Sequence, residues 1–357
     1  MYNTERFQSF FAIDSCGTML FEKYLFDKIS HYEIIARDFL TENDIKEKDS
    51  ILHEIESAKN AIIQTINYSL QGRRLLALMT LLEFVNKHMP PLCHEEIGSD
   101  FYRMRVFEDK RSREIKELFH IPFDKQGIVK TQRYSMPGLP CLYLGKSLYG
   151  CWEELNRPPL HSCMFSRLSN TKVVKLWDFR IPDKIENVDE LKKLLPIMPL
   201  LISCSIKVSN PKDNFKPEYI IPQMMLEILS CGDEISKING RKPANIMGIK
   251  YRSVLTNNDF DFPPSKSDNI VIPAMRGTEK YDSRLCDLFQ ITQPTCEEFE
   301  KIRYRQLIID GGAAFEEIDT YKNSLFGEME TFISSTDTFP LLNIENEPLG
   351  KDNNFRT

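Results

Sequence analysis

The chain has 357 residues, 41% hydrophobic and 27% charged, with 15 Gly and 20 Pro. That composition excludes collagen-like and low-complexity chains and leaves room for two or three domains. Its net charge of −6 argues against a general binder of nucleic acid or anionic membrane, although a local basic cleft stays open. No apolar run reaches the ~18–20 residues of a membrane span, and the start MYNTERFQSFF lacks a signal-peptide plan, so a cytoplasmic protein is expected.

Roughly the first 90 residues read as helical. Over Ser50–Leu70, Ile51, Ile55, Ala58, Ile62 and Ile66 fall three or four apart, on one helix face, with Ser50 as the expected N-cap. After a break at Gln71-Gly72, Leu75, Leu78, Leu82 and Val85 repeat the pattern, and Met89-Pro90-Pro91 stops it. The two helices predict a hairpin that scaffolds the protein or joins it to a second copy.

The texture then changes. Strands are expected at Phe101–Phe107, Cys141–Gly145, Lys172–Phe179, Ile202–Val208, Ile246–Val254 and Asn269–Pro273, with helices at Ser147–Asn156 and Pro222–Ser230. A last helix is expected at Phe315–Ile333, followed by a polar tail that should be mobile. The reading is an α+β fold: a helical region over 1–97, a mixed α+β domain over 98–276 and an extension over 277–357.

Nine scattered cysteines form no CxxC pair, and six histidines form no HxxxH or HxH, so reduced thiols and no metal site are expected. The phosphate-cradling and hydrolase motifs GxGxxG, GxxxxGK[ST] and GxSxG are absent.

Several residues suggest chemistry instead. On a strand, Arg103 and Arg105 point the same way, about 6.6 Å apart, and two guanidiniums on one face can bracket a diphosphate. An edge strand with a wet face gives the same pattern. Arg133 and Ser135 precede the turn at Pro137-Gly138, and Tyr143 lies in the strand that follows. On the next helix Leu148, Cys151, Trp152 and Leu155 form the apolar face. Stepping ~100° per residue places Glu154 nearer its edge and leaves Glu153 in solvent. Taken singly, Ser253 and Asn269 are ordinary polar residues at strand ends.

Together and in order, these pieces resemble the RES domain family. The resemblance runs from Phe101 to Pro273. It is carried by Tyr102-Arg103-Met104-Arg105, Arg133-Tyr134-Ser135, Leu142-Tyr143-Leu144, Glu154, Pro222-Gln223, Gly248 with Tyr251 and Ser253, and Asn269. Ser135 stands where many members have Asn, and the flanking helical regions exceed the compact members. The resemblance implies a fold similar to ADP-ribosyltransferases and an activity that consumes NAD as substrate, without a metal. It implies a bacterial toxin or defence effector, several members being paired with an antitoxin. Glu154 would stabilise the oxocarbenium-like ribose as nicotinamide leaves, and Tyr143 would stack on the nicotinamide. Arg103, Arg105 and Arg133 would hold the cofactor, and Ser135, Ser253 and Asn269 would hydrogen-bond it. Hydrolysis or phosphorolysis of NAD is the first reading. Transfer of ADP-ribose to a protein or nucleic acid is an alternative, and a non-catalytic nucleotide-binding module is another.

Overall fold

The computed structural model describes residues 2–10, 14–89, 93–107, 113–182, 184–231, 245–254, 263–296, 301 and 321–341. Residues 315–320 of the expected last helix and the part of the expected tail beyond Leu341 lie outside these. In chain order the main elements are helices α1 (Phe21–Glu42), α2 (Lys48–Leu70) and α3 (Arg74–His88), then strands β1 (Cys93–Glu96), β2 (Asp100–Val106) and β3 (Cys141–Gly145). There follow α4 (Leu148–Glu154), β4 (Cys163–Asn170), β5 (Val174–Asp178), α5 (Met198–Ser205) and α6 (Ile220–Ser230). Strands β6 (Gly248–Arg252), β7 (Asp268–Pro273) and β8 (Phe289–Thr292), helix α7 (Leu325–Ser334) and strand β9 (Thr338–Pro340) complete the set. The fold is α+β.

The chain forms two compact units that interleave along the sequence. One comprises Met1–His94, Gln132–Tyr134 and Trp177–Ile246, the other Glu95–Thr131, Ser135–Leu176 and Met247–Thr357. Both boundaries read from the sequence, at 98 and at 276, fall within the second unit.

The first unit is helical. Ile51, Ile55, Ala58, Ile62 and Ile66 of α2 are all buried, as their spacing predicts, and α2 packs on α1, α3, α5 and α6. The helix begins at Lys48 after Glu47, so Ser50 is not its cap. On α3 Val85 is buried as expected, but the other buried residues are Ala77, Leu81 and Phe84; Leu78 and Leu82 are half-buried and Leu75 is 70% exposed. Helix α5 replaces the strand expected at Ile202–Val208. All eight of its residues are buried. A helix apolar all round has no amphipathic period to announce it, and Ile-Ser-Cys-Ser-Ile imitates strand alternation.

The second unit is built on most of a nine-stranded sheet of order β9-β8-β4-β2-β3-β7-β6-β5-β1. Strand β2 pairs antiparallel with β4 along its whole length, from Asp100↔Ser169 to Val106↔Cys163. Strand β3 pairs antiparallel with β7, from Cys141↔Pro273 to Gly145↔Asn269. Between them β2 and β3 share one register pair among the described residues, Tyr102↔Gly145. Side chains alternate along the strands. Phe101, Leu142, Leu144, Leu168, Ile270 and Ile272 fill a core with Leu285 and Phe289. Tyr102, Met104 and Phe165 face a second core with Leu148 and Tyr149 of α4 and Phe326, Met329 and Ile333 of α7. Helix α7 is therefore part of this unit's core. Burial of each such large side chain stabilises by about 1.5–3 kcal/mol.

Candidate functional site

The sequence Gly145-Lys-Ser-Leu turns β3 into α4. Ser147 is extended (φ −151°, ψ 153°) and its Oγ accepts from the Gly150 N–H, capping the helix. The same hydroxyl donates to the Lys266 carbonyl at 2.7 Å, tying the cap to the segment that enters β7. Helix α4 stops at Glu154 because Asn156 and Arg157 take left-handed backbone (φ 61° and 52°).

That turn folds Arg157 back onto the helix, where its Nη2 lies 2.8 Å from Glu153 Oε1. Glu153 is therefore 5% exposed, not solvated as the helical wheel suggested. The wheel accounts for the helix alone and cannot see a chain that reverses over it.

Glu154 is half-buried, and its Oε1 accepts two hydrogen bonds. Ser253 Oγ donates at 2.6 Å and Asn269 Nδ2 at 2.8 Å. Ser253 lies just past β6, its N–H bonded to the Ser267 carbonyl, and Asn269 opposes Tyr251 in the β6–β7 ladder. Residues 99 and 115 positions from Glu154 in the chain thus meet on one carboxylate oxygen. Two neutral donors fix the carboxylate's orientation.

Tyr143 alternates with the fully buried Leu142 and Leu144, so its half-buried ring points to the same face as Gly145 and Asn269. Its carbonyl accepts from Arg103 Nη1 at 2.7 Å, across the place where β2 and β3 are barely paired. Arg103 Nε is buried and has no hydrogen-bond partner, and Arg103 forms no ion pair among the described residues. Burial, with a lesser push from Arg105, brings its guanidinium down to about 9. Arg105 donates to the Glu117 carbonyl at 2.7 Å and is likewise lowered by burial. Each arginine thus binds a backbone carbonyl.

The remaining expected residues divide. Ser135 is buried and donates to the Leu139 carbonyl at 3.0 Å, closing the turn in which Gly138 adopts φ +86°. Arg133 belongs to the first unit, where Nη1 donates to the Cys204 carbonyl at 2.8 Å and its guanidinium lies 5.5 Å from the Tyr219 ring centre. The second unit thus gathers Glu154, Ser253, Asn269, Tyr143 and Arg103, and Arg133 is not in that unit.

Two neighbours were missed in the sequence. Cys151 Sγ donates to the Tyr102 carbonyl at 3.3 Å, and burial pushes its thiol up to about 12. Gly145 has no room for a side chain: a Cβ would lie 2.8 Å from Cys151 Sγ and 3.1 Å from Asn269 Oδ1. The one available signal was a glycine closing Leu-Tyr-Leu. No group of three or more His, Cys, Asp or Glu placed to hold a metal occurs among the described residues, and no helix there is long and apolar enough to cross a membrane.

The chain is similar to a Bacillus subtilis (strain 168) protein named "Putative toxin YopC", 32% identical over 276 residues that cover 70% of this chain. It spans 60% of that relative's length. No family model and no solved structure matches the chain. The likeness to the RES family therefore rests on the motifs themselves.

Proposed function

We propose that the chain is an NAD-cleaving toxin of the RES type. The observation that carries this reading is the Glu154 carboxylate, held on one oxygen by Ser253 and Asn269. When the bond from ribose C1′ to nicotinamide breaks, the electron pair leaves with nicotinamide and positive charge spreads over the ribose. A fixed carboxylate stabilises that charge without reorganising, which is the usual source of the largest rate gain. Arg103, half-buried with its Nε fully covered and no anionic partner among the described residues, suits a ligand that brings its own negative charge, as a dinucleotide diphosphate does. Tyr143 offers a ring for stacking on the nicotinamide. Water or phosphate then attacks C1′ and releases a proton. The relative's name supports toxicity as the biological outcome.

The test is to incubate purified protein with NAD, with and without phosphate, and identify products by mass. ADP-ribose or its 1″-phosphate is expected, together with free nicotinamide. Glu154→Gln keeps shape and removes charge, and it should slow turnover by ~10²-fold or more. Unchanged NAD, or a Glu154→Gln protein as active as the parent, would overturn the reading. Nicotinamide release only when a macromolecule is added would point to ADP-ribosyl transfer instead.

A further inference from the structure

Glu330 of α7 is 5% exposed, and both of its oxygens are engaged. Oε1 accepts from the Leu148 N–H at 2.7 Å and from the Tyr321 hydroxyl at 2.6 Å. Oε2 lies 2.7 Å from Lys266 Nζ. Leu148 is the first residue of α4, the helix that ends in Glu154. Lys266 heads the segment that supplies Ser267, whose carbonyl holds Ser253, and Asn269. A second tie, from Ser147 Oγ to the Lys266 carbonyl, joins the same two strands of chain. One buried carboxylate thus binds the origin of the helix carrying Glu154 and the origin of the segment carrying its two donors.

We infer that Glu330 is a positioning residue for the Glu154–Ser253–Asn269 cluster, so that α7 is part of the catalytic machinery and not an appendage to it. The inference rests on the proposed NAD cleavage for its kinetic consequence, but its geometric content stands apart from it. Glu330 touches none of the three residues directly. It fixes the distance between the two chain segments from which they project, and a displacement well under 1 Å there would lengthen the 2.6 and 2.8 Å bonds to Glu154. Small misplacements of a reacting group carry large rate penalties.

The experiment uses the full chain. Glu330→Gln retains an acceptor for Leu148 and removes the charge that holds Lys266. Ile333→Val, a purely apolar truncation in the same core, is the comparator for a general loss of packing. Glu330→Gln should lower kcat for NAD by ~10-fold or more while KM changes by less than ~2-fold. In hydrogen–deuterium exchange without NAD, peptides covering 147–154 and 266–270 should exchange faster than in the comparator. A folded Glu330→Gln protein with unchanged kcat and exchange overturns the inference. So does a loss that Ile333→Val reproduces at equal Tm. If the parent protein does not consume NAD at all, the functional reading fails. The exchange measurement then decides the positioning role alone: selective loosening of those two peptides sustains it, and uniform or absent loosening ends it.

Discussion

His120 lies fully buried, its Nε2 accepting the Asp282 N–H at 3.0 Å and its Nδ1 set 2.8 Å from the Ile121 carbonyl. This arrangement requires a neutral ring with the proton on Nδ1, and protonating Nε2 would displace the Asp282 bond. Burial accordingly pushes the imidazole down to about 4. Because the folded value lies below the unfolded one, the stabilisation is complete above about pH 6.5 and is lost as pH falls toward 4, by up to about 3 kcal/mol. Thermal melts from pH 7 to 4.5 should show a steeper fall for the parent than for His120→Gln. Parallel slopes would remove His120 as the cause. Arg103 presents the opposite problem, a half-buried cation with no anion beside it among the described residues. Replacing it with Met should leave the unliganded protein no less stable and yet weaken NAD binding by about 1.5–3 kcal/mol, measured by calorimetry in the Glu154→Gln background. Unchanged affinity would leave Arg103 as a strand residue with a carbonyl partner and no ligand.

The β3–α4 junction shows how an element can demand one residue type. Any side chain at Gly145 must displace Cys151 or turn the Asn269 amide away from Glu154. Gly145→Ala should therefore lower turnover about 10-fold or more and lower Tm, and adding Cys151→Ala should recover part of the Tm. No recovery would mean that the backbone, not the thiol, sets the limit. Much of this region was legible in advance. Strand β3 runs over Cys141–Gly145, as its alternation predicts, and Ser147 caps α4 at the expected place. Strand β4 was not foreseen, because Cys-Met-Phe-Ser-Arg-Leu-Ser-Asn reads as broken alternation although it is a central strand. Helix α5 reads as a strand in the sequence because uniform burial erases the period from which helices are recognised. The meeting of Glu154 with Ser253 and Asn269 came from family resemblance, since no local pattern links residues so far apart. Glu330 carried no local signal, because its role arises from contacts 64 and 182 positions away.

In the whole molecule the N-terminal helices share a unit with α5 and α6. A chain beginning at Gly98 would keep the proposed site residues of the second unit but strip α2 from the wholly buried α5. Such a protein should aggregate or migrate in the void on size exclusion, because so much apolar surface would be newly wetted. A soluble, cooperatively melting 98–357 chain would show that the helical unit is dispensable for folding.

The interleaving of the two units has a temporal meaning as well. A ribosome delivers the chain from its N-terminus, and the first unit lacks its last segment until residue 246 has emerged. The second waits longer, for α7, whose Glu330 holds the origin of Glu154's helix. A nascent chain would therefore carry every proposed ligand-binding residue of the second unit, from Arg103 to Asn269, before it could hold them in place. On the proposed NAD cleavage, the Glu154 cluster would be held in its working geometry only once α7 has been made.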